Sequence, residues 1–155
     1  MTAVDLQDEL VKELGKLFKD QKYKTTGGER VSLNIYAQDL PAEQSYDDAD
    51  PSPYLIVRID SGKDSGEKDS FNTVTVVIVA EVYDDDPNKQ GYRDVLAIIQ
   101  KIYARFHKDP SLNNTAVYSG AFDWDVQDGT YYPYFIGACV MDFHIPAIRR
   151  EDPWV

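Results

Sequence analysis

Residues 73–83 read Thr-Val-Thr-Val-Val-Ile-Val-Ala-Glu-Val-Tyr, and no other stretch restricts the fold as much. Side chains branched at Cβ are stiff and sit well on a pleated surface, so a run this rich in valine favours a strand. Asp84, Asp85, Asp86 and Pro87 end it. Beyond them Tyr92, Val95, Leu96, Ile98, Ile99, Ile102, Tyr103 and Phe106 recur at three- and four-residue steps, the spacing of one helix face. The segment is therefore a strand, a turn and a helix. Residues 76–80 are apolar at both parities, whereas a strand with one wet face alternates. Both faces of its middle should be covered, one by its own helix and the other by a second layer or a neighbouring subunit.

The remaining elements follow from simpler signals. Val4, Leu10, Val11, Leu14, Leu17 and Phe18 mark an amphipathic helix over residues 2–18, with Thr2 and Asp5 as a capping pair. Its apolar stripe reads as core packing rather than a binding face. Gly27 and Gly28 make a turn before Val31, Leu33 and Ile35, which alternate along one side of a strand. Residues 38–53 are acidic and proline-punctuated and predict a long loop. Residues 54–60 form the next strand, and the hydrophilic connection over residues 63–70 makes it the antiparallel hairpin partner of residues 73–83. Lys108, Asp109 and Pro110 stop the second helix, and Ala116, Val117 and Tyr118 lead to a half-buried strand in which Phe122, Trp124 and Val126 alternate with Asp123 and Asp125. Residues 131–145 are the last strand, antiparallel to that one, and the tail beyond Pro146 is expected to be loosely ordered. This order describes an α+β fold: a mostly antiparallel, mixed sheet of about five strands with two α-helices packed on it. A single domain over residues 1–155 accommodates it.

Charge and cysteine usage narrow the function. Asp and Glu number 27 against 16 Lys and Arg, a formal net charge of -11. Such a surface repels a phosphate backbone, and Arg149-Arg150, followed by Glu151-Asp152, is too short a basic patch to reverse that. No sequence-specific nucleic acid is expected as a partner. No apolar run reaches the roughly 18 residues of a membrane span, and Asp5, Asp8 and Glu9 interrupt any signal-peptide core. Cys139 is the only cysteine, lies in a strand-like run and reads as a small buried hydrophobe, which suits a reducing compartment.

Catalysis has little to stand on. Glu81 with Asp84, Asp85 and Asp86 could hold Mg²⁺ through oxygen ligands, as a metal-dependent nuclease or phosphodiesterase would need. An acidic turn that exposes its charges and complements the dipole of the next helix explains the same residues, and no calcium-loop spacing is present. His107 and His144 lack the spacing of a metal pair. No phosphate-binding loop, nucleophile elbow or dinucleotide fingerprint occurs, so no catalytic residue and no cofactor are expected. Eleven tyrosines remain, several near strand ends and turns. Tyrosine favours surfaces buried against a partner, which makes Tyr83, Tyr92, Tyr132 and Tyr134, with the neighbouring Asp84 and Asp85, the interface candidates.

Several of these stretches resemble one known family. Pro53-Tyr54-Leu55-Ile56-Val57-Arg58, the valine-rich run 74–82, the Tyr83-Asp84-Asp85 turn, Gln90-Gly91-Tyr92-Arg93-Asp94-Val95, and Trp124 followed by Tyr132-Pro133-Tyr134-Phe135 and Gly137 are similar to the tail-terminator (tail-completion) proteins of long-tailed bacteriophages and prophages. The similarity spans roughly residues 53–140 and includes no catalytic signature. It implies a non-enzymatic virion protein, assembled in the host bacterial cytoplasm, that forms a homo-oligomer, a hexameric ring, at the head-proximal end of the tail tube. There it would stop tube polymerisation, contact the tail tube protein and the head-neck connector protein, and pass DNA through an acidic lumen. Ring closure is a heterologous contact and would supply the second cover for residues 76–80. The alternatives are another head-tail joining component, the nuclease reading of Glu81 and the three aspartates, and an acidic DNA mimic.

Overall fold

The computed structural model describes residues 1–42 and 50–148. Helix α1 (Ala3–Leu17) starts on a capping box: the Thr2 hydroxyl accepts the Asp5 amide, and the Asp5 carboxylate accepts the Thr2 amide at 2.9 Å. Leu6, Leu10 and Leu14 form its buried stripe. Val4, expected in that stripe, is 64% exposed; the four-residue rows of a helix put Leu6, not Val4, in line with Leu10 and Leu14. A small ribbon follows, β1 (Tyr23–Lys24) paired with β2 (Arg30–Val31). The strand expected through Val31, Leu33 and Ile35 is broken there. The Asn34 amide turns to the Pro53 carbonyl, and β3 (Asn34–Ala37) joins a different sheet.

That main sheet also contains β4 (Tyr54–Asp64), β5 (Asn72–Tyr83), β6 (Ser111–Leu112), β7 (Ala116–Val126) and β8 (Tyr134–Ile145), with α2 (Tyr92–Lys108) between β5 and β6 in the chain. The strand order is β3-β4-β5-β8-β7-β6, and among the described residues β3 with β4 is its only parallel pair. The architecture is the expected α+β fold, with six strands rather than about five because β6 is too short to announce itself. Residues 131–133 are not strand: Asp128 accepts the Thr130 amide and starts a 3₁₀ turn, Gly129–Tyr131, so β8 begins only at Tyr134. The expected tail from residue 149 on, and residues 43–49 of the expected long loop, lie outside the described residues.

Both helices pack on the same side of the sheet. Along β5, Val74, Val76, Ile78, Ala80 and Val82 are buried in one core with Leu6, Leu10 and Leu14 of α1, and with Val95, Ile98, Ile99, Ile102 and Phe106 of α2. The intervening Thr73, Thr75, Val77, Val79, Glu81 and Tyr83 remain partly exposed. Cys139 is buried in the core, and that burial pushes its thiol up to about 12. Arg105 ties the two helices together: its guanidinium donates to Glu13 at 2.6 Å and to the carbonyls of Asp109 and Ser111. Among the described residues, no helix is long and apolar enough to cross a membrane.

Candidate functional site: the uncovered sheet face

Directly opposed residues on neighbouring strands share a face, so the register defines the second side of the sheet. Val79 stands between Ile56 of β4 and Ala138 of β8, Val77 between Arg58 and Val140, and Glu81 between Tyr54 and Ile136. The centre of this face is therefore apolar apart from Arg58, whose guanidinium donates to the Gln38 carbonyl and to Asp39. Its lower part is polar and internally bonded, with the Thr75 hydroxyl donating to Asp142 at 2.6 Å and the Thr73 hydroxyl 3.2 Å from Nδ1 of His144. Asp123 and Asp125 of β7, opposite Val140 and Ala138, give it an acidic rim. Among the described residues, no helix or second sheet lies over that centre, where Val77, Val79, Ala138 and Val140 are partly exposed, whereas Ile56 and Tyr54 of β4 on the same face are buried.

The upper end of the face is fastened by a short segment entering β4. The hydroxyls of Ser52, at 3.0 Å, and of Tyr54 both donate to the Glu81 carboxylate. Tyr134 donates to Asp50, whose other oxygen accepts the Ser52 amide. The bond to Asp50, then burial, push the Tyr134 phenol up to about 12; burial and Glu81 also raise that of Tyr54. Tyr83 and Tyr134 meet edge to face here, with ring centroids 5.6 Å apart. Sequence reasoning missed the contribution of Asp50 and Ser52. Nothing in a proline-flanked loop signals that its hydroxyl will reach a strand 29 residues later.

The other predicted residues are distributed elsewhere. Asp85 pairs with Lys24 at 2.5 Å, and that ammonium holds its carboxyl below the usual range. Asp84 accepts the Asp86 amide and Asp86 accepts the Asn88 amide, so these carboxylates build the turn. Among the described residues, no group of three or more His, Cys, Asp or Glu is placed to hold a metal ion. Tyr92 packs on the helix-side core, as does Tyr132, whose hydroxyl donates to the Asp85 carbonyl at 2.6 Å. His107 is satisfied by the Tyr118 hydroxyl at 2.9 Å and stacks on Tyr103.

Two of the family-like motifs pack against each other. A Cβ on Gly91 would lie 2.4 Å from the Phe135 ring, and one on Gly137 would lie 2.5 Å from Val95. The Gln90-Gly91-Tyr92-Arg93-Asp94-Val95 opening of α2 is thus seated on the Tyr132-Pro133-Tyr134-Phe135 start of β8, with glycine at both points of closest approach. No protein-family model and no curated protein sequence matches the chain.

Proposed function

We propose that the chain is a non-enzymatic assembly protein of a phage tail, a terminator of the kind its motifs resemble, and that it closes into a ring by packing the uncovered sheet face against the next copy. The supporting observation is the second apolar parity of β5. Val77 and Val79, with Ala138 and Val140, form an apolar centre with an acidic rim, the composition of an interface core and its border. The helix-side layer holds the core of the monomer, and these residues stand outside it, partly exposed. Ring closure brings a different surface of the neighbour onto the face. The net charge of -11 suits a lumen that DNA traverses without adhering.

Light scattering after size exclusion, with negative-stain imaging, tests the reading with and without Mg²⁺ and with added tail tubes. Rings or tube caps are expected from the wild type. Val77→Thr, Val79→Thr and Val140→Thr together keep shape and strand preference and should abolish them while the monomer still melts cooperatively. A monomer under every condition, with no density on tube ends, overturns the proposal.

A further inference from the structure

We infer that the free edge of β7 is a docking site for an extended basic segment of another protein, taken up as an added strand. The edge is exposed by topology. β6 pairs with β7 only through Ala116 and Val117, and the last backbone bond on that side is from the Tyr118 amide to the Pro110 carbonyl at 2.8 Å. From Phe122 to Val126 the strand is regularly paired to β8 on one side, and among the described residues no strand flanks it on the other. Gly120, at φ +99, and the irregular register between Tyr118 and Phe122 separate this stretch from the part that β6 covers. Such a row of edge amides and carbonyls is a template for one more strand.

The side chains select the occupant. Asp123 and Asp125 point to the uncovered face and are exposed. On the helix side, Trp124 is 51% exposed, next along the strand from Phe122, which meets Tyr103 of α2 edge to face at 5.3 Å. An added strand would set alternate residues beside the two carboxylates and the others beside the Trp124 and Phe122 rings. Lysine or arginine alternating with apolar residues is the complement, through cross-strand charge pairs and aromatic contacts. A second copy of this edge is a poor occupant: antiparallel self-pairing centred on Trp124 places Asp123 opposite Asp125 twice, and like charges directly opposite are destabilising. At the opposite edge of the sheet, Asn34–Ala37 has no basic residue, and the free part of β4 beyond it carries Arg58, which is paired with Asp39, and Lys63, too few to match both carboxylates and both rings. The partner is therefore a different chain, and this inference does not depend on ring formation.

The test uses the full chain with Trp154→Phe, so that Trp124 is the sole indole, and a short synthetic peptide alternating lysine with valine. The expected result is saturable binding read by Trp124 fluorescence and weakened on the order of tenfold by Asp123→Lys with Asp125→Lys, through loss of both cross-strand pairs. Asp8→Lys with Asp20→Lys, which changes net charge equally far from the edge, should bind as the parent does. A peptide N-methylated at alternate amides should not bind, because its backbone cannot complete the ladder. Absence of binding, equal binding of the methylated peptide, or equal weakening by both charge-reversed variants overturns the proposal. The melting temperature of each variant separates loss of the site from loss of the fold.

Discussion

Gly137 lies directly under Val95 and Ile99 of α2, and replacing it with alanine should drive helix and sheet apart. The new methyl carbon would sit 2.5 Å from Cγ1 of Val95, 3.1 Å from the Asp125 carbonyl oxygen and 3.2 Å from Cδ1 of Ile99. The carbonyl belongs to the β7 backbone and cannot rotate away, so relief must come from α2. Overpacking of this kind costs about 1–3 kcal/mol. At about 2–4 °C per kcal/mol for a chain of this size, the melting temperature should fall by roughly 2–12 °C. Val95→Ala alone removes two buried methyl groups and costs about 1.6 kcal/mol at ~0.8 kcal/mol per group. Combined with Gly137→Ala it also removes the worst contact, so the pair should be less destabilised than the sum by about 1–2 kcal/mol. Gly15→Ala is the control: nothing lies within 4 Å of its added carbon in α1, and it should stabilise by about 0.5–1 kcal/mol through helix propensity. Urea unfolding followed by circular dichroism measures all four variants. If Gly137→Ala unfolds like the wild type, or the double variant is additive, α2 is not seated on Gly137.

Gly91→Ala should be destabilised for the same reason, by about 1–3 kcal/mol, and partly rescued by Phe135→Leu, since the clash is with that ring; denaturant unfolding of the pair shows whether rescue occurs. Asp94 is held above the usual carboxylate range by burial and then by Asp84, against the opposing pull of Arg30. Because its folded value exceeds its unfolded one, the folded state binds more protons within that window, and stability falls as pH rises through it. Asp94→Asn should therefore melt higher than the wild type at pH 7, with the difference vanishing below about pH 4; an unchanged gap across that range contradicts the assignment. Arg105→Lys keeps the charge but loses the fork that reaches Glu13, Asp109 and Ser111, and should cost about 1–2 kcal/mol in an unfolding titration. Cys139 should react with a thiol reagent only at the rate of opening of the core; fast labelling of the native protein would place it outside the core.

The elements legible in the sequence are those whose apolar period is long enough to repeat. β5, α2 and the hairpin of β4 with β5 are of this kind. What escapes is decided by partners distant in the chain. Val4 lies seven residues before Val11 and Leu6 four before Leu10, so both fit an apolar helix row, and it is the row of Leu6, Leu10 and Leu14 that packs into the core. Ser119, Gly120 and Ala121 carry no strand pattern of their own, yet they lie within β7 as an irregularity, because pairing with β8 resumes at Phe122. The four tyrosines among the interface candidates do not share a surface. Tyr83 and Tyr134 meet because the β5–β8 register places them opposite each other, whereas Tyr92 and Tyr132 are turned to the helix side. The Ser52 and Tyr54 bonds to Glu81 require that same long-range register and have no local signature.

The motifs most specific to the family resemblance concern attachment of α2 more than recognition of a partner. Gly91, Phe135, Gly137 and Val95 fix the helix to β8, so altering them should change stability before it changes assembly. Val77, Val79, Ala138 and Val140 lie on the opposite side of the same two strands, and altering them should change assembly before stability. The division follows from the two-residue period of a strand: along β5, Val76 and Ile78 belong to the core while Val77 and Val79, one residue on, belong to the uncovered face. A one-residue slip of β5 against β8 would exchange the two sets, exposing the core parity and burying Glu81 and Thr75 under the helices. The Glu81 bonds to Ser52 and Tyr54 and the Thr75 bond to Asp142 oppose that slip, since each would leave a polar group buried without its partner. The polar residues at the two ends of the uncovered face thus hold its apolar centre in register.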